Sequence, residues 1–219
     1  MIYDFVAALM RPLAWWGRLR VEGLDEVSRQ GPLLVVPNHD SQFDPILIAL
    51  AIKPRRRLRF LARASLWRIP GLGALLYGIN QIPISRGTGD SGALDEAVAA
   101  LEAGESICIF PEGGLSWGVR LRAHSGVGRL AERCPGARVV LCAIEGTTEY
   151  ARFPRRPRVR VTFFRPAAGD PQPGEEAPVL ATRLLDEIRD RVTPNPAGRR
   201  ARVGGPPRVQ RASRRASRS

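Results

Sequence analysis

Short apolar runs, each about a strand long, alternate along this chain with segments of helical periodicity, and that alternation limits the fold more than any other feature. Leu33-Leu34-Val35-Val36 leads, after a polar interval, into the helix-like run Ile46-Leu47-Ile48-Ala49-Leu50-Ala51-Ile52. Leu58-Arg59-Phe60-Leu61-Ala62, Ile79-Asn80-Gln81-Ile82-Pro83-Ile84, Ser106-Ile107-Cys108-Ile109-Phe110 and residues 138–144 read as further strands. Between them, residues 91–104 form an amphipathic helix with Leu94, Ala97, Val98 and Leu101 on one face and Gly104 placed to stop it. Helical spacing returns at residues 126–133. Residues 158–164 alternate as an edge or late strand, and a closing helix over 179–192 turns Val179, Leu180, Leu184, Ile188 and Val192 inward. The expected fold class is α/β: a single domain with a mixed, largely parallel sheet flanked by helices.

Three of these strands run directly into polar turns. The first is Asn38-His39-Asp40-Ser41-Gln42-Phe43-Asp44-Pro45, the second ends in Ser85-Arg86, and the third is Pro111-Glu112-Gly113-Gly114. In α/β folds the carboxyl ends of strands are where chemistry is placed. His39 and Asp44 are five apart, so a carboxylate in the first helical turn can hold one ring nitrogen and leave the other to take a proton. That is the base-and-orienter half of a Ser-His-Asp system without its nucleophile, which suffices if the substrate brings its own hydroxyl. Taken alone, the turn reads equally as Asp40 or Ser41 capping a helix with Asp44 at its positive end. Taken together, the turns offer a base, a phosphate-sized cation and a carboxylate beside glycines, all at strand ends that one sheet edge can bring together.

Composition narrows the partners. At 219 residues, with 44% hydrophobic and 25% charged residues, the chain has enough material for a real core. Its formal charge is +13, but the segment 194–219 alone carries eight arginines and no acid, leaving a moderately basic body. That Pro-, Gly-, Arg- and Ser-rich tail reads as disordered. Residues 55–59 and 152–160 form two basic patches in the body, suited to anionic membrane or phosphate-bearing ligands. The tail would also suit nucleic acid, but the body lacks the aromatic-basic platform such binding uses, which argues against nucleic acid as a partner. Cys108, Cys134 and Cys142 have no zinc spacing and read as buried thiols in a reducing compartment. Residues 1–16 are apolar and Trp-bearing, too short and too charged to span a bilayer, and read as an interfacial helix, with a helix covering the protein's own core as the alternative. The expected organisation is a membrane-contacting segment at 1–22, a catalytic domain at 23–193 and the tail at 194–219, peripheral on the cytoplasmic face of the membrane.

Those three turns, in this order, resemble the motifs of the glycerolipid acyltransferase superfamily, the 1-acylglycerol-3-phosphate acyltransferases, across most of residues 20–165. Residues 38–44 look like that family's His-x4-Asp block, residues 82–86 its second block, and Phe110-Pro111-Glu112-Gly113 its third. The resemblance implies acyl transfer from acyl-CoA or acyl-carrier protein, as co-substrate and without a cofactor or metal, to a hydroxyl of a lysophospholipid-like acceptor. It gives His39 the role of base and Asp44 that of orienter, and it assigns Arg86, Glu112 and Gly113 to acceptor binding. Backbone N–H groups after Ser41 are the expected oxyanion donors. The chain departs from the family's pattern where the third block usually continues Gly-Thr-Arg-Ser: Leu115 replaces the arginine, His124 stands for a downstream lysine, and Leu141 for a proline of the fourth block. Arg120 or Arg122 would replace part of the lost charge. A membrane-surface binding protein of the same fold with degenerate catalysis is the alternative that these departures support.

Overall fold

The computed structural model describes residues 1–85, 91–172 and 174–193. Arg86 and the tail from 194 onward lie outside the described residues, so the expectations placed on them stay expectations. The elements in chain order are α1 (Ile2–Trp16), β1 (Arg20–Glu22), β2 (Leu33–Pro37), α2 (Asp44–Ile52), β3 (Arg59–Arg63), α3 (Leu72–Gly78), β4 (Ile82–Ile84), α4 (Ser91–Glu102), β5 (Ser106–Cys108), α5 (Gly126–Arg133), β6 (Arg138–Glu145), β7 (Arg160–Phe164) and α6 (Ala177–Arg191).

The strands form one seven-stranded sheet in the order β1-β7-β6-β2-β5-β3-β4, parallel throughout except for the antiparallel pair β6 and β7. The expected α/β class with a mixed, largely parallel sheet is therefore the observed one. Both faces are covered, as a parallel sheet requires. Along β2 the side chains alternate: Leu34 and Val36 enter the core under α4, α5 and α6, whereas Leu33 and Val35 enter the one under α2. All five residues of β2 are buried, which is why its sequence is apolar without interruption.

Two details differ from the sequence reading. Residues 158–164, expected as an edge or late strand, form the last strand of the chain, but β7 lies between β1 and β6, and the edge is taken by Arg20–Glu22, expected as part of the amino-terminal segment. A three-residue strand with all residues exposed carries no alternation to detect. Val179, expected inside, is 56% exposed, whereas Leu180, Ala181, Leu184 and Ile188 of α6, with Val192 just after it, join the core with the sheet. The amino-terminal helix is present. It packs on α2, buries Ala7 and leaves Phe5, Leu9 and Trp15 exposed, so it covers the core and offers an apolar ridge at once.

The topology also places a crevice. From β2 the chain leaves toward α2 on one face, and from its neighbour β5 it leaves toward α5 on the other. Adjacent strands whose connections depart to opposite faces create a cleft at their carboxyl ends, the position where open α/β sheets bind ligands. His39 follows β2 and Glu112 follows β5.

Candidate active site

Pro37 ends β2, and the next residue substitutes for a further rung of the ladder. The Asn38 amide accepts from the Ile144 N–H at 2.8 Å and donates to the Ile144 carbonyl at 2.9 Å. This pins the start of the turn to β6. The turn then closes on Asp44, the first residue of α2, whose Oδ2 accepts the backbone N–H groups of Asp40 and Ser41, both at 2.7 Å. The same oxygen accepts the His39 Nδ1–H at 3.0 Å. Asp44 is fully buried, and burial raises its carboxyl above the usual range, against which the His39 contact pulls down. A carboxylate buried without such donors would be costly, so the pattern of donors explains why the turn takes this shape.

With Nδ1–H committed to Asp44, Nε2 of His39 is the proton-accepting nitrogen. No described residue bonds it. The ring stacks on Phe110 with centroids 4.0 Å apart, and its side chain is 14% exposed, enough for a hydroxyl to reach. Phe110 thus holds the ring plane while Asp44 holds its rotation. Two of the amides after Ser41, where oxyanion donors were expected, are by contrast engaged within the turn: the Phe43 N–H goes to Ser41 Oγ and the Asp44 N–H to the Ser41 carbonyl. Compact turns satisfy their own amides, and this one leaves neither of those two for a substrate.

The third turn meets the first. Glu112 Oε2 accepts the His39 N–H at 3.2 Å, and the Ser116 N–H donates to the His39 carbonyl at 2.7 Å. His39 and Glu112, 73 positions apart, are therefore neighbours, as the shared strand-end edge predicts. The Glu112 side chain is buried inside the domain and does not line an open surface. Gly113 adopts φ +61°, and a Cβ there would lie 2.7 Å from the His124 ring, so glycine is required twice over. His124, which stands for the family's downstream lysine, lies against this turn and donates its backbone N–H to the Pro111 carbonyl at 2.8 Å. Arg120 is bound to Asp186 and Asp190 of α6, which removes it as a replacement for the lost acceptor cations. Arg86 follows β4, whose place three strands from β2 corresponds to about 14 Å across the sheet.

The residue that ties the site together was not expected at all. Arg189 of α6 is buried and donates Nη1 and Nη2 to Asp40 at 3.1 and 2.8 Å, Nη2 to Ser116 Oγ at 2.7 Å, and Nε to Glu112 Oε1 at 2.6 Å. Ser116 Oγ–H, the Gly118 N–H and the Asn38 side-chain amide, the last at 3.1 Å, also donate to Asp40. One guanidinium serves two carboxylates, and they divide it unequally. Asp40, with more donors, is held below the usual carboxylate range despite its burial. Burial pushes Glu112 up to about 7, with Arg189 only partly opposing. A signal was available: Ala181, Leu185 and Arg189 fall four apart on the buried stripe of α6, so Arg189 sits where an apolar residue belongs. In a chain with 34 Lys and Arg, one more arginine draws no notice.

Sheet, crevice and histidine–carboxylate pair define an α/β protein with a His–Asp pair at the strand ends. The acyltransferase family model matches residues 18–146, more than half of the chain, and the chain belongs to that family. A lyso-ornithine lipid O-acyltransferase of Pseudomonas aeruginosa is 37% identical over 134 residues, covering 56% of this chain and 49% of that protein. An uncharacterized protein of Mycobacterium tuberculosis, Rv0502, is 29% identical over 164 residues, 66% of this chain and 43% of its own length. The chain thus spans about half the length of the curated relatives it matches. In fold it is similar to the 1-acyl-sn-glycerophosphate acyltransferase PlsC from Thermotoga maritima, with TM-score 0.64 and 23% identity, covering 87% of this chain and 81% of that one.

Proposed function

We propose that this protein moves a fatty acyl group from a thioester, acyl-CoA or acyl-carrier protein, to a hydroxyl of a lysolipid acceptor. The observation that carries the reading is the His39–Asp44 pair with Nε2 open at the sheet's cleft. Nε2 takes the hydroxyl proton as the oxygen attacks the thioester carbonyl, and Asp44 stabilises the imidazolium that forms. The C–S bond breaks, the acyl ester remains on the acceptor, and the departing thiolate takes the proton back from His39. Glu112 and Arg189 act by holding the His39 backbone in place, and Arg86 and Gly113 are assigned to the acceptor by resemblance to the family.

The acceptor is inferred from lost charge. Leu115 and His124 stand where the family's pattern has cations, and Arg120 is engaged by two aspartates of α6. Such a site favours a headgroup less anionic than a phosphate monoester, in line with the acceptor in the name of the Pseudomonas relative. Access would come from a membrane surface at its cytoplasmic face, through the exposed Phe5, Leu9 and Trp15 of α1, with Arg156 over both Trp15 and Trp16. No described helix is long and apolar enough to cross a membrane.

Release of CoA thiol from acyl-CoA tests the reading. It should depend on added lysolipid, run faster with an ornithine- or other weakly anionic acceptor than with lysophosphatidate, and vanish in His39→Ala. Thiol release that ignores both lysolipid and the histidine would refute it and leave the membrane-surface binding protein.

A further inference from the structure

A cavity of about 970 Å³ opens at the opposite edge of the sheet. Its wall includes Gly31, Leu58, Ile79 and Ser106, which precede or begin β2, β3, β4 and β5, so it lies at the amino ends of four parallel strands. The five residues of β2 alone put roughly 16 Å between it and His39, and no ligand seated there touches the catalytic pair.

The wall is cationic. Arg29, Arg55, Arg56, Arg57 and Arg59 line it, with Glu105 as the one carboxylate. Two of the five have acidic partners: Arg57 binds Asp4, which also holds Lys53, and Arg59 binds Glu96 and Glu105. Arg56 is occupied by structure, since it donates to the Gly31 and Gly104 carbonyls at 3.0 and 2.6 Å and so ties the loop before β2 to the one before β5. It has no counter-charge, and burial holds its guanidinium below the ordinary value. The Arg29 and Arg55 guanidiniums have no hydrogen-bond or acidic partner among the described residues. The Ser106 hydroxyl, buried at the wall, also lacks a partner among them. Loop anchoring therefore explains Arg56 and Arg59, but it leaves two guanidiniums beside a third uncompensated one facing the same hollow.

Guanidinium forks match the oxygens of phosphate. The cavity is continuous with Met1 and Ile2, at the start of the helix whose Phe5 and Leu9 are exposed. We infer that this amino-edge cavity is a second binding site, for a phosphate-bearing ligand: the headgroup of an anionic phospholipid at a membrane surface, or a soluble phosphate ester. Arg29 and Arg55 supply the recognition, Arg56 the fixed charge behind them, and the start of α1 the apolar contact a lipid would need.

The test uses the full chain. Flotation with vesicles of phosphatidylcholine, with and without phosphatidylglycerol, measures the membrane arm, and protection of the melting midpoint by glycerol phosphate over glycerol measures the soluble arm. Arg29→Glu/Arg55→Glu should weaken the response at least about tenfold. Arg129→Glu/Arg133→Glu on α5, with the same change in charge, should leave it unaltered. Arg29→Gln/Arg55→Gln repeats the loss without charge reversal, and acyl transfer in detergent should be unchanged in every variant. A response confined to vesicles assigns the site to headgroups, and one in both arms to phosphate esters generally. Wild-type affinity in the cavity variant, an equal loss in the α5 variant, or no response from the wild type in either arm overturns the inference without touching the acyltransferase reading.

Discussion

The two edges of the sheet handle buried charge in opposite ways. At the carboxyl edge Asp40, Asp44 and Glu112 are interior, and each is held by donors from elsewhere in the chain: Asp44 by the His39 turn, the other two by Arg189. At the amino edge the charge is positive, half-exposed and only partly matched, with guanidiniums that anchor loops or face a cavity. A network that is closed on itself fixes geometry, which a base needs if its ring is to stay aimed within a fraction of an ångström. A set of charges left open stores affinity for something else. The difference teaches that rigidity and receptivity have been placed on separate edges of one scaffold.

That contrast can be broken by substitution, beginning with the largest effect. His39→Ala should reduce acyl transfer by about two to four orders of magnitude while the melting midpoint holds, read by thiol release beside calorimetry. Arg189→Met should cost about 3–5 kcal/mol of stability, measured by urea unfolding, because it strands Asp40 and Glu112 together in the interior. An amino-edge charge network of equal importance would predict the same for Arg55→Met, which is expected to be nearly silent. Glu112→Gln sharpens the comparison through pH. A carboxyl whose folded value is raised to about 7 keeps its proton longer in the folded chain than in the unfolded one. Wild-type stability should accordingly fall as pH rises from about 4.5 to about 7, by up to a few kcal/mol, and the variant should flatten that slope.

Gly113→Ala comes next, at about 1–2 kcal/mol, from the positive φ and the displaced His124 ring, a shift of a few degrees in the melting midpoint. Smallest is Arg29→Glu/Arg55→Glu, whose stability should stay within about 0.5 kcal/mol of wild type because neither side chain holds anything in place. A large loss there would show that the amino edge is as closed as the other.

The histidine–carboxylate pair was legible because both members sit in one turn, five residues apart, at a boundary marked by an apolar strand and a helix start. The meeting of His39 with Glu112 was legible one step further out, since parallel strands put their carboxyl ends on a common edge. The oxyanion expectation fell on amides after Ser41, and that the turn itself engages two of them, those of Phe43 and Asp44, could not be read from the residues alone. The edge strand at Arg20–Glu22 left no trace in an exposed tripeptide.

What the residues alone settled is therefore local or periodic: the alternation of strands and helices, the turns that end three of the strands, and the glycine at 113. Such features are written in neighbouring positions, where spacing and side-chain type carry the physics. The tertiary structure decided the rest. It selected Arg189, 149 positions from Asp40, as the shared counter-charge, and it gathered arginines from separate loops around one cavity. The reason is that a buried charge must be compensated in space, and the chain can bring its partner from any distance along the sequence.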